Sequence, residues 1–318
     1  MRPLRILTWH VHGNYLWYLS NIRHEIYLPV AKDRPGYGGR GTTFPFRSNV
    51  IDIPAENVRA TEFDCIIYQH RQNYVEDRLE ILSPEHLKLP QVAIEHDPPQ
   101  EHPTNTKHYV DDPNVLLVHV TAFNRLMWDS GRTPSCVIEH GVPSPKYARY
   151  TGEIERGIVV INHLRDRGRR LGVDVFEQLR QDVPLDLVGM QSEELGGIGE
   201  VPPPELALFE ARYRFFLNPI RYTSLGLAVI EAMLLGMPIL GLATTEMVTT
   251  IENGVSGYLE TDPLKLIPYM EELLRDPTEA RRLGDNARRY AEERFAIDRF
   301  VKDWHRALQD VTGVPATA

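Results

Sequence analysis

The sequence predicts an α/β protein with two Rossmann-like domains facing a cleft and a helical tail. Strand patterns alternate with helices or loops up to about residue 142, which is typical of a mainly parallel sheet. The polar stretch 143–156 holds two prolines and one glycine and is interpreted as a linker. The alternation then restarts. We expect an N-terminal domain over 1–148, a second domain over 149–295, and a last helix, 296–318, that crosses back to the first domain.

Short apolar runs predict the strands of the first domain, and helical spacing predicts three short helices. The strands are 5–9, 24–30, 49–53, 63–68, 92–95, 115–120 and 136–142, and the helices are 15–20, 79–87 and 122–129. Residues 31–47 contain four glycines. No helix start follows them, so a mobile surface loop is favoured over a phosphate-binding loop.

The second domain shows the same alternation. Strands are expected over 157–162, 185–189, 213–217, 239–241 and 257–260, and helices over 172–180, 226–236 and 246–253. Residues 165–170 are interpreted as a basic loop and 191–204 as a loop rich in glycine and proline. Three helices, 264–274, 278–293 and 297–311, form the tail, with Asp276 as a predicted cap of the second. Apolar Phe300, Val301, Trp304 and Leu308 are expected on one face of the last helix.

The segment 218–241 is interpreted as a strand end, a turn, a helix, a turn and a strand. Thr223 and Ser224 are expected to cap the helix, and Gly226 lets a ligand approach the backbone at its start. An uncovered helix N-terminus is a site for phosphate. Glu231 is a single carboxylate in an otherwise apolar helix. The alternative is an ordinary buried helix with one exposed glutamate.

Composition limits the classes of function. The chain has 318 residues, 42% hydrophobic and 25% charged, with a formal net charge of -9. An acidic chain argues against nucleic-acid binding. The two cysteines, Cys65 and Cys136, suggest a reducing compartment. Without a signal-peptide pattern or a long apolar run, a cytoplasmic protein is expected, and peripheral contact with the inner face of a membrane stays compatible with the sequence.

Several motifs occur in a fixed order in the second half. They are Thr223-Ser-Leu-Gly-Leu-Ala-Val-Ile-Glu-Ala-Met233, Gly236-Met-Pro238, Glu246 and Glu252-Asn-Gly-Val-Ser-Gly-Tyr258, with His140-Gly-Val142 before them. From about Ile158 to Trp304 the chain resembles the retaining glycosyltransferases of group one, often called family four. The resemblance implies the two-domain GT-B fold, with a nucleotide-sugar donor held by the second domain and an acceptor held by the first.

The resemblance implies a donor site at the helix start and in the basic loop. Glu231 would bind the ribose hydroxyls, since a carboxylate can accept two hydrogen bonds. Backbone N–H groups at the turn would bind the diphosphate. The implied donor-binding residues of this domain are His163, Leu225, Gly226, Leu227, Ala228 and Glu231.

Arginines of the basic loop would neutralise the departing diphosphate, which is electrostatic catalysis. Arg165 and Arg170 are the catalytic candidates, and the resemblance does not choose between them and Arg167 or Arg169. The alternative is a solvated turn.

In the first domain the resemblance places Gly13 opposite the diphosphate, with His12 and Asn14 beside it on the acceptor side. His96 would be a catalytic residue near the anomeric carbon, and Asp97 would orient it or bind the acceptor.

Ten of the twelve histidines lie before residue 141. His10 and His12 are two residues apart on a predicted strand end and would point the same way, which is a weak metal-site hypothesis. The resemblance implies no obligatory metal or other cofactor besides the nucleotide-diphosphate sugar as co-substrate.

The sequence departs from the family at Thr223, where the family has a glutamate that contacts the donor sugar. Threonine lacks the negative charge. Three outcomes are expected from this difference: the protein contacts a different donor sugar, it transfers sugar at a low rate, or it binds the donor without turnover. The expected function is transfer of a sugar, with retention of configuration, to a saccharide, lipid or small-molecule acceptor. The alternatives are a non-catalytic sugar-nucleotide-binding subunit, or another GT-B enzyme such as an epimerase or a phosphorylase.

Overall fold

The computed structural model describes residues 2–32 and 34–314, which divide into two compact units. The first contains the chain up to Gly141 together with the segment from Ile297 onward, and the second is Val142–Ala296. The sequence placed these boundaries at 148/149 and 295/296. The stretch interpreted as a linker packs within the second unit, because Tyr150 is buried and its hydroxyl donates to the Arg214 carbonyl at 2.7 Å.

The first unit contains a parallel sheet of seven strands in the order β3-β2-β1-β4-β5-β6-β7. The strands are β1 Arg5–Leu7, β2 Glu25–Val30, β3 Val50–Pro54, β4 Cys65–Tyr68, β5 Gln91–Glu95, β6 Val115–His119 and β7 Ser135–Val137. Each predicted strand of this domain is present, although β1, β4 and β7 are shorter than expected. The order reverses between β1 and β4, and ligands of open α/β sheets bind at the carboxyl ends of the strands beside such a point.

Three helices lie between these strands: α1 Gly13–Leu19, α2 Arg78–Ile81 and α3 Ala122–Met127. The prediction of a helix over 79–87 is wrong in extent. A π-helical turn, Asn73–Asp77, leads into α2, and the chain is extended at Leu82. Pro84 prevents the helix from continuing, since proline lacks an N–H and clashes with the preceding turn.

The second unit has a parallel sheet of five strands in the order β12-β11-β10-β8-β9. These are β8 Ile154–Val160, β9 Leu185–Val188, β10 Tyr213–Asn218, β11 Ile239–Leu242 and β12 Gly257–Glu260. All six residues of β10 are buried, as expected for a central strand. The order reverses between β8 and β10, so the segments after these two strands lie at the ligand-binding position of the sheet.

Six helices accompany this sheet: α4 Leu164–Leu171, α5 Val173–Leu179, α6 Pro203–Glu210, α7 Leu227–Leu235, α8 Ile267–Arg275 and α9 Pro277–Arg294. Two of them correct the sequence analysis. The predicted basic loop is helix α4, interrupted at Gly168, and the predicted loop 191–204 ends at the unpredicted helix α6. Short 3-10 turns replace the predicted helix 246–253 and the start of the predicted helix 264–274.

Two helix ends behave as predicted. Asp276 accepts hydrogen bonds from the backbone N–H groups of Thr278 and Glu279, which caps α9. Gly236 ends α7 in a left-handed conformation with φ 93°.

The last helix, α10 Ile297–Thr312, groups with the first unit. Three residues of its predicted apolar face, Phe300, Trp304 and Leu308, are fully buried, and the fourth, Val301, is half-buried. Arg299 of α10 donates to the Glu139 carbonyl at 3.0 Å. Among the helices in the described ranges, none is both long and apolar enough to span a bilayer.

Candidate functional site

The turn between β10 and α7 ends in a helix start whose N-cap residue has no side chain. That residue is Gly226. The structure places Gly226 at the N-cap position that the sequence analysis gave to Thr223 and Ser224. Ser224 lies three residues and Thr223 four residues before Leu227, the first residue of the helix, whereas the N-cap residue immediately precedes the first turn.

Space is open in front of this helix start. A Cβ atom added at Gly226 would meet no heavy atom within 4 Å. Its φ of -65° is accessible to any residue, so backbone conformation does not require glycine here. The first-turn residues Leu227 and Ala228 are half-buried, and Leu225 is buried behind them. The end of α7 can therefore present N–H groups and its positive dipole end to an anion.

Glu231 follows one turn later and is half-buried in an otherwise apolar helix. The sequence analysis missed a second carboxyl group, which lies close enough to Glu231 for the two to interact electrostatically. Glu210, the last residue of α6, is 1% exposed, and its Oε2 atom has no hydrogen-bond partner in the described part of the chain. Burial first, and then the charge of Glu231, raise the pKa of Glu210 well above its usual range. Glu210 therefore favours its neutral, protonated form.

The segment after β8 has an unusual backbone. His163 adopts a left-handed conformation with φ 54°, and Gln191 after β9 does so with φ 59°. The two side chains meet, since His163 Nδ1 lies 2.6 Å from Gln191 Oε1, and the amide oxygen makes the ring nitrogen the donor. Left-handed non-glycine residues are strained and are found preferentially at functional sites.

The structure separates the arginines of α4. Arg165 is exposed and reaches the Glu194 carboxylate at 3.7 Å. Arg169 pairs with Asp174 of α5. Arg170 is half-buried, and its carbonyl accepts hydrogen bonds from the N–H groups of Arg221 and Tyr222 at 3.0 and 3.3 Å. Of the two catalytic candidates, Arg170 is thus attached to the β10–α7 turn, whereas Arg165 lies against Glu194.

The same turn is held from two other sides. Arg221 binds Asp174 through both guanidinium nitrogens, and this hydrogen bonding is the main cause that lowers the pKa of Asp174. From the other side, Thr244 Oγ1 donates to the Ile220 carbonyl at 3.1 Å. The half-buried Thr223 therefore lies in a braced segment.

Glu246, another residue of the family motif, is bound inside the second unit. It is 3% exposed and accepts from Arg294 of α9 at 2.8 Å and from the Thr249 hydroxyl at 2.8 Å. These contacts attach the segment after β11 to the end of α9.

In the first unit the structure brings together two predicted residues, His12 and His96. His12 is the residue before α1, His96 directly follows β5, and their ring centroids are 4.0 Å apart. Tyr15 of α1 points the edge of its ring at His96, with centroids 4.7 Å apart. Asn14 and Asp97 are half-buried beside them in the chain, and the carbonyl of Asp97 accepts from Trp128 Nε1 at 2.8 Å.

His96 is neutral at physiological pH. Burial, followed by the neighbouring His12, His140 and His70, lowers the pKa of His96 well below its usual value. Its Nε2 atom is buried without a hydrogen-bond partner in the described ranges. A buried ring nitrogen without a partner costs free energy unless a ligand binds it.

Gly13, predicted to face the diphosphate, is in close contact with another part of the first unit. A Cβ atom at Gly13 would lie 2.2 Å from the ring of Phe44. A glycine is required at this position because the aromatic ring occupies the space that a side chain would need.

The two histidines of the metal hypothesis do not point the same way. His10 Nδ1 lies 2.7 Å from the Gly39 carbonyl, whereas His12 stacks near His96. Both residues follow the end of β1 at Leu7, so the alternation of a strand does not apply to them. Within 2–32 and 34–314, no group of three or more metal-binding side chains is placed to hold an ion.

Sequence reasoning also missed a buried pair behind His96. His108 is fully buried, and its Nε2 lies 3.0 Å from Glu95 Oε2, while Glu95 Oε1 accepts from the Asp97 N–H at 2.9 Å. The one available signal was that Glu95 ends β5 and His108 lies in the loop that follows this strand.

Comparison with known proteins finds a family match within the second unit. Residues 176–290 match the model of the family described as Glycosyl transferases group 1. This segment of the second unit is therefore similar to group 1 glycosyltransferases. The β10–α7 turn and Glu231 lie inside the matched segment, whereas His163 and Arg170 lie just before it.

A curated relative matches over a similar length. D-inositol 3-phosphate glycosyltransferase 1 of Catenulispora acidiphila is 29% identical over 131 residues, which are 37% of this chain and 31% of that protein. The chain thus matches about a third of the length of this curated relative.

Solved structures resemble nearly the whole chain in fold. Sucrose-phosphate synthase from Thermosynechococcus elongatus has a TM-score of 0.71 at 16% identity, covering 98% of this chain and 100% of that one. HepE from Anabaena, in complex with UDP, has a TM-score of 0.70 at 15% identity with the same coverage. A glycosyltransferase from Rickettsia africae has a TM-score of 0.68 at 12% identity, covering 98% and 99%. The predicted GT-B fold is confirmed.

Proposed function

We propose that this protein transfers a sugar from a nucleotide-diphosphate sugar to an acceptor hydroxyl, with retention of anomeric configuration. The observation that carries the proposal is the start of α7. There a helix end with a glycine at its N-cap and open space in front of that glycine precedes Glu231 by about one turn, beside the reversal of strand order.

The donor is assigned to the second unit by the chemistry of its groups. The N–H groups of Gly226, Leu227 and Ala228 suit the diphosphate, and the Glu231 carboxylate suits two ribose hydroxyls. Arg170 supplies positive charge as the diphosphate departs, because its helix is hydrogen-bonded to the β10–α7 turn.

The acceptor side is assigned to the first unit. A neutral His96 is not a general acid at neutral pH, so we assign it a hydrogen bond through Nε2 to the transferred sugar. His12 and Tyr15 hold the imidazole of His96 in place. The proton of the acceptor hydroxyl then passes to the leaving phosphate on the same face of the sugar, which accounts for retention.

A non-catalytic sugar-nucleotide-binding protein is the second candidate, and Thr223 favours it. This threonine stands in the braced β10–α7 turn where related glycosyltransferases have a carboxylate that contacts the donor sugar. An epimerase would need acid–base carboxylates near the sugar, which Thr223 disfavours.

A thermal-shift panel of UDP, GDP, ADP and their sugars tests the proposal, followed by a hydrolysis and transfer assay on each binder. Ligands of the native state raise the unfolding midpoint by mass action. We expect a shift with one nucleotide and release of that nucleotide from its sugar. No shift at millimolar concentration would refute donor binding, and binding without turnover would favour the second candidate.

A further inference from the structure

We propose that a cluster of aromatic rings in the first unit binds the sugar ring of a saccharide acceptor. The cluster, called here the aromatic platform, consists of His10, Trp17, Phe44 and Phe46. This inference rests on the proposed function, because only a transferase needs an acceptor, and it narrows the acceptor to a saccharide.

The four rings form a continuous array. The centroids of His10 and Phe46 are 5.4 Å apart, and those of Phe44 and Phe46 are 6.0 Å apart. Trp17 extends the array, with its centroid 6.0 Å from that of Phe44. All four side chains are half-buried, so each ring keeps part of its surface in contact with solvent.

The platform adjoins the residues assigned to the acceptor side. The ring of Phe44 lies against Gly13, where an added Cβ atom would be 2.2 Å away. The next residue toward the N-terminus, His12, contacts His96. A sugar bound on the platform therefore lies beside the segment 12–14, at the carboxyl end of β1.

The segment 34–47, which carries both phenylalanines, is anchored to the first unit. Tyr37 is fully buried, and the Gly39 carbonyl accepts from His10 Nδ1 at 2.7 Å. Gly39 has φ 59°, and a Cβ atom there would lie 2.5 Å from Asp52 Oδ1, so only glycine fits. The Arg40 N–H donates to Asp52 Oδ1 at 2.7 Å. Of the four glycines in this segment, Gly39 allows a close contact beside the rings, whereas an added Cβ atom would meet nothing within 4 Å at Gly36, Gly38 or Gly41.

Saccharides match this surface chemically. A pyranose ring has a face of C–H groups, which packs on the electron-rich face of an aromatic ring. Because His10 donates through Nδ1, its Nε2 carries a lone pair that can accept from a sugar hydroxyl. An apolar surface with a few placed polar groups is typical of small-molecule sites.

A membrane surface fits less well. The nearby Arg40 and Arg47 are exposed and would attract anionic lipids, but insertion needs apolar side chains that project into the bilayer. Trp17, Phe44 and Phe46 are half-buried. Other large apolar side chains of the described ranges are strongly exposed, and these three are not among them. The rings line a surface rather than project from it.

Saturation-transfer NMR with the full chain tests the platform. The probes are the methyl α-glycosides of glucose, galactose and mannose, and N-acetylglucosamine. Phe44→Leu and Phe46→Leu each remove a ring face while keeping apolar volume, and Phe209→Leu is the matched control, since Phe209 is a half-buried ring of the second unit. Circular dichroism checks that each variant folds. If Phe44→Leu disturbs the packing on Gly13, the Phe46→Leu variant alone tests the platform. UDP-induced thermal shifts are recorded for every variant.

We expect at least one sugar to bind the wild type, and each platform variant to weaken that binding roughly three- to tenfold. Phe209→Leu should bind the sugar like the wild type, and UDP shifts should be equal throughout. If UDP binds but no sugar does, or if both platform variants bind sugar as the wild type does, the saccharide platform is refuted while the proposed function stands. If sugar binding follows the platform but no nucleotide binds, the proposed function fails instead. Cosedimentation with phosphatidylglycerol vesicles that requires Phe44 and Phe46, without sugar binding, would assign the surface to membranes.

Discussion

Two carboxyl groups of the second unit show how position on a helix changes the chemistry of one residue type. Glu231 is half-buried near the open start of α7, whereas Glu210 is fully buried at the end of α6. The same amino acid is therefore a candidate ligand for ribose in one place and a neutral acid in the other. A charge is costly to bury without a partner. Replacing Glu231 should therefore change ligand binding, whereas replacing Glu210 should change how the free energy of unfolding depends on pH.

Replacing Glu231 with alanine should weaken UDP binding by roughly ten- to a hundredfold, because hydrogen bonds to a charged group contribute about 1.5–3 kcal/mol. Isothermal titration calorimetry measures the change. Glu252→Ala is the control, since Glu252 is an exposed glutamate of the same domain. Full UDP affinity in the Glu231→Ala variant would contradict the role assigned to this residue.

Replacing Glu210 with glutamine should remove a pH dependence of stability. The pKa of Glu210 is raised in the folded state, so its contribution to stability is complete below the pKa of the unfolded chain and is lost as pH rises through the folded-state value. The free energy of unfolding of the wild type, relative to Glu210→Gln, should fall by about 1.4 kcal/mol per pH unit within that window. Urea unfolding between pH 4 and 8 measures it. Parallel curves for the two proteins would show that Glu210 does not retain its proton on folding.

At the scale of elements, tertiary packing determines helices that the local sequence pattern does not predict. Residues 165–170 read as a loop because of five charged side chains and Gly168, yet the buried Leu164 and Leu171 at its two ends hold α4 in the unit. The Asp276 cap was predictable because it depends on neighbours in the sequence. The Glu246–Arg294 pair was not, because 48 positions separate its members.

Glu246→Ala should lower the free energy of unfolding by about 3–5 kcal/mol, since it leaves Arg294 without the carboxylate it binds inside the fold. The exposed pair Arg288–Glu292 on α9 is the control, and Glu292→Ala should cost less than about 1 kcal/mol. Urea denaturation measures both. Equal losses for the two variants would mean that burial adds nothing to the Glu246 pair.

At the scale of the whole molecule, the chain has two separate sheets, each with its own reversal of strand order. The proposed donor groups belong to the second unit, and the proposed acceptor groups belong to the first. A nucleotide added without an acceptor should therefore stabilise segments of the second unit.

UDP should slow amide hydrogen exchange in the segments 161–171 and 219–231 more than in the strands of the first unit. A bound ligand stabilises the groups that it contacts and the local openings that expose them. Exchange followed by mass spectrometry on the full chain, with and without UDP, measures the effect. Protection confined to the first unit would overturn the assignment of the donor.

Local chemistry was enough for the sequence to determine the two α/β sheets, the buried strand β10, the end of α7 at Gly236 and the apolar face of α10. Each depends on apolar periodicity or on residues adjacent in the chain. The motif around Glu231 also pointed to the domain that the family model matches.

Tertiary structure alone decided which distant groups meet. It placed His12 against His96, Phe44 over Gly13, and the backbone of Arg170 on the β10–α7 turn. It also separated His10 from His12, which lie two positions apart in the chain. The physical reason is that hydrophobic packing and strand order set these contacts, and neither depends on the spacing of the residues along the sequence.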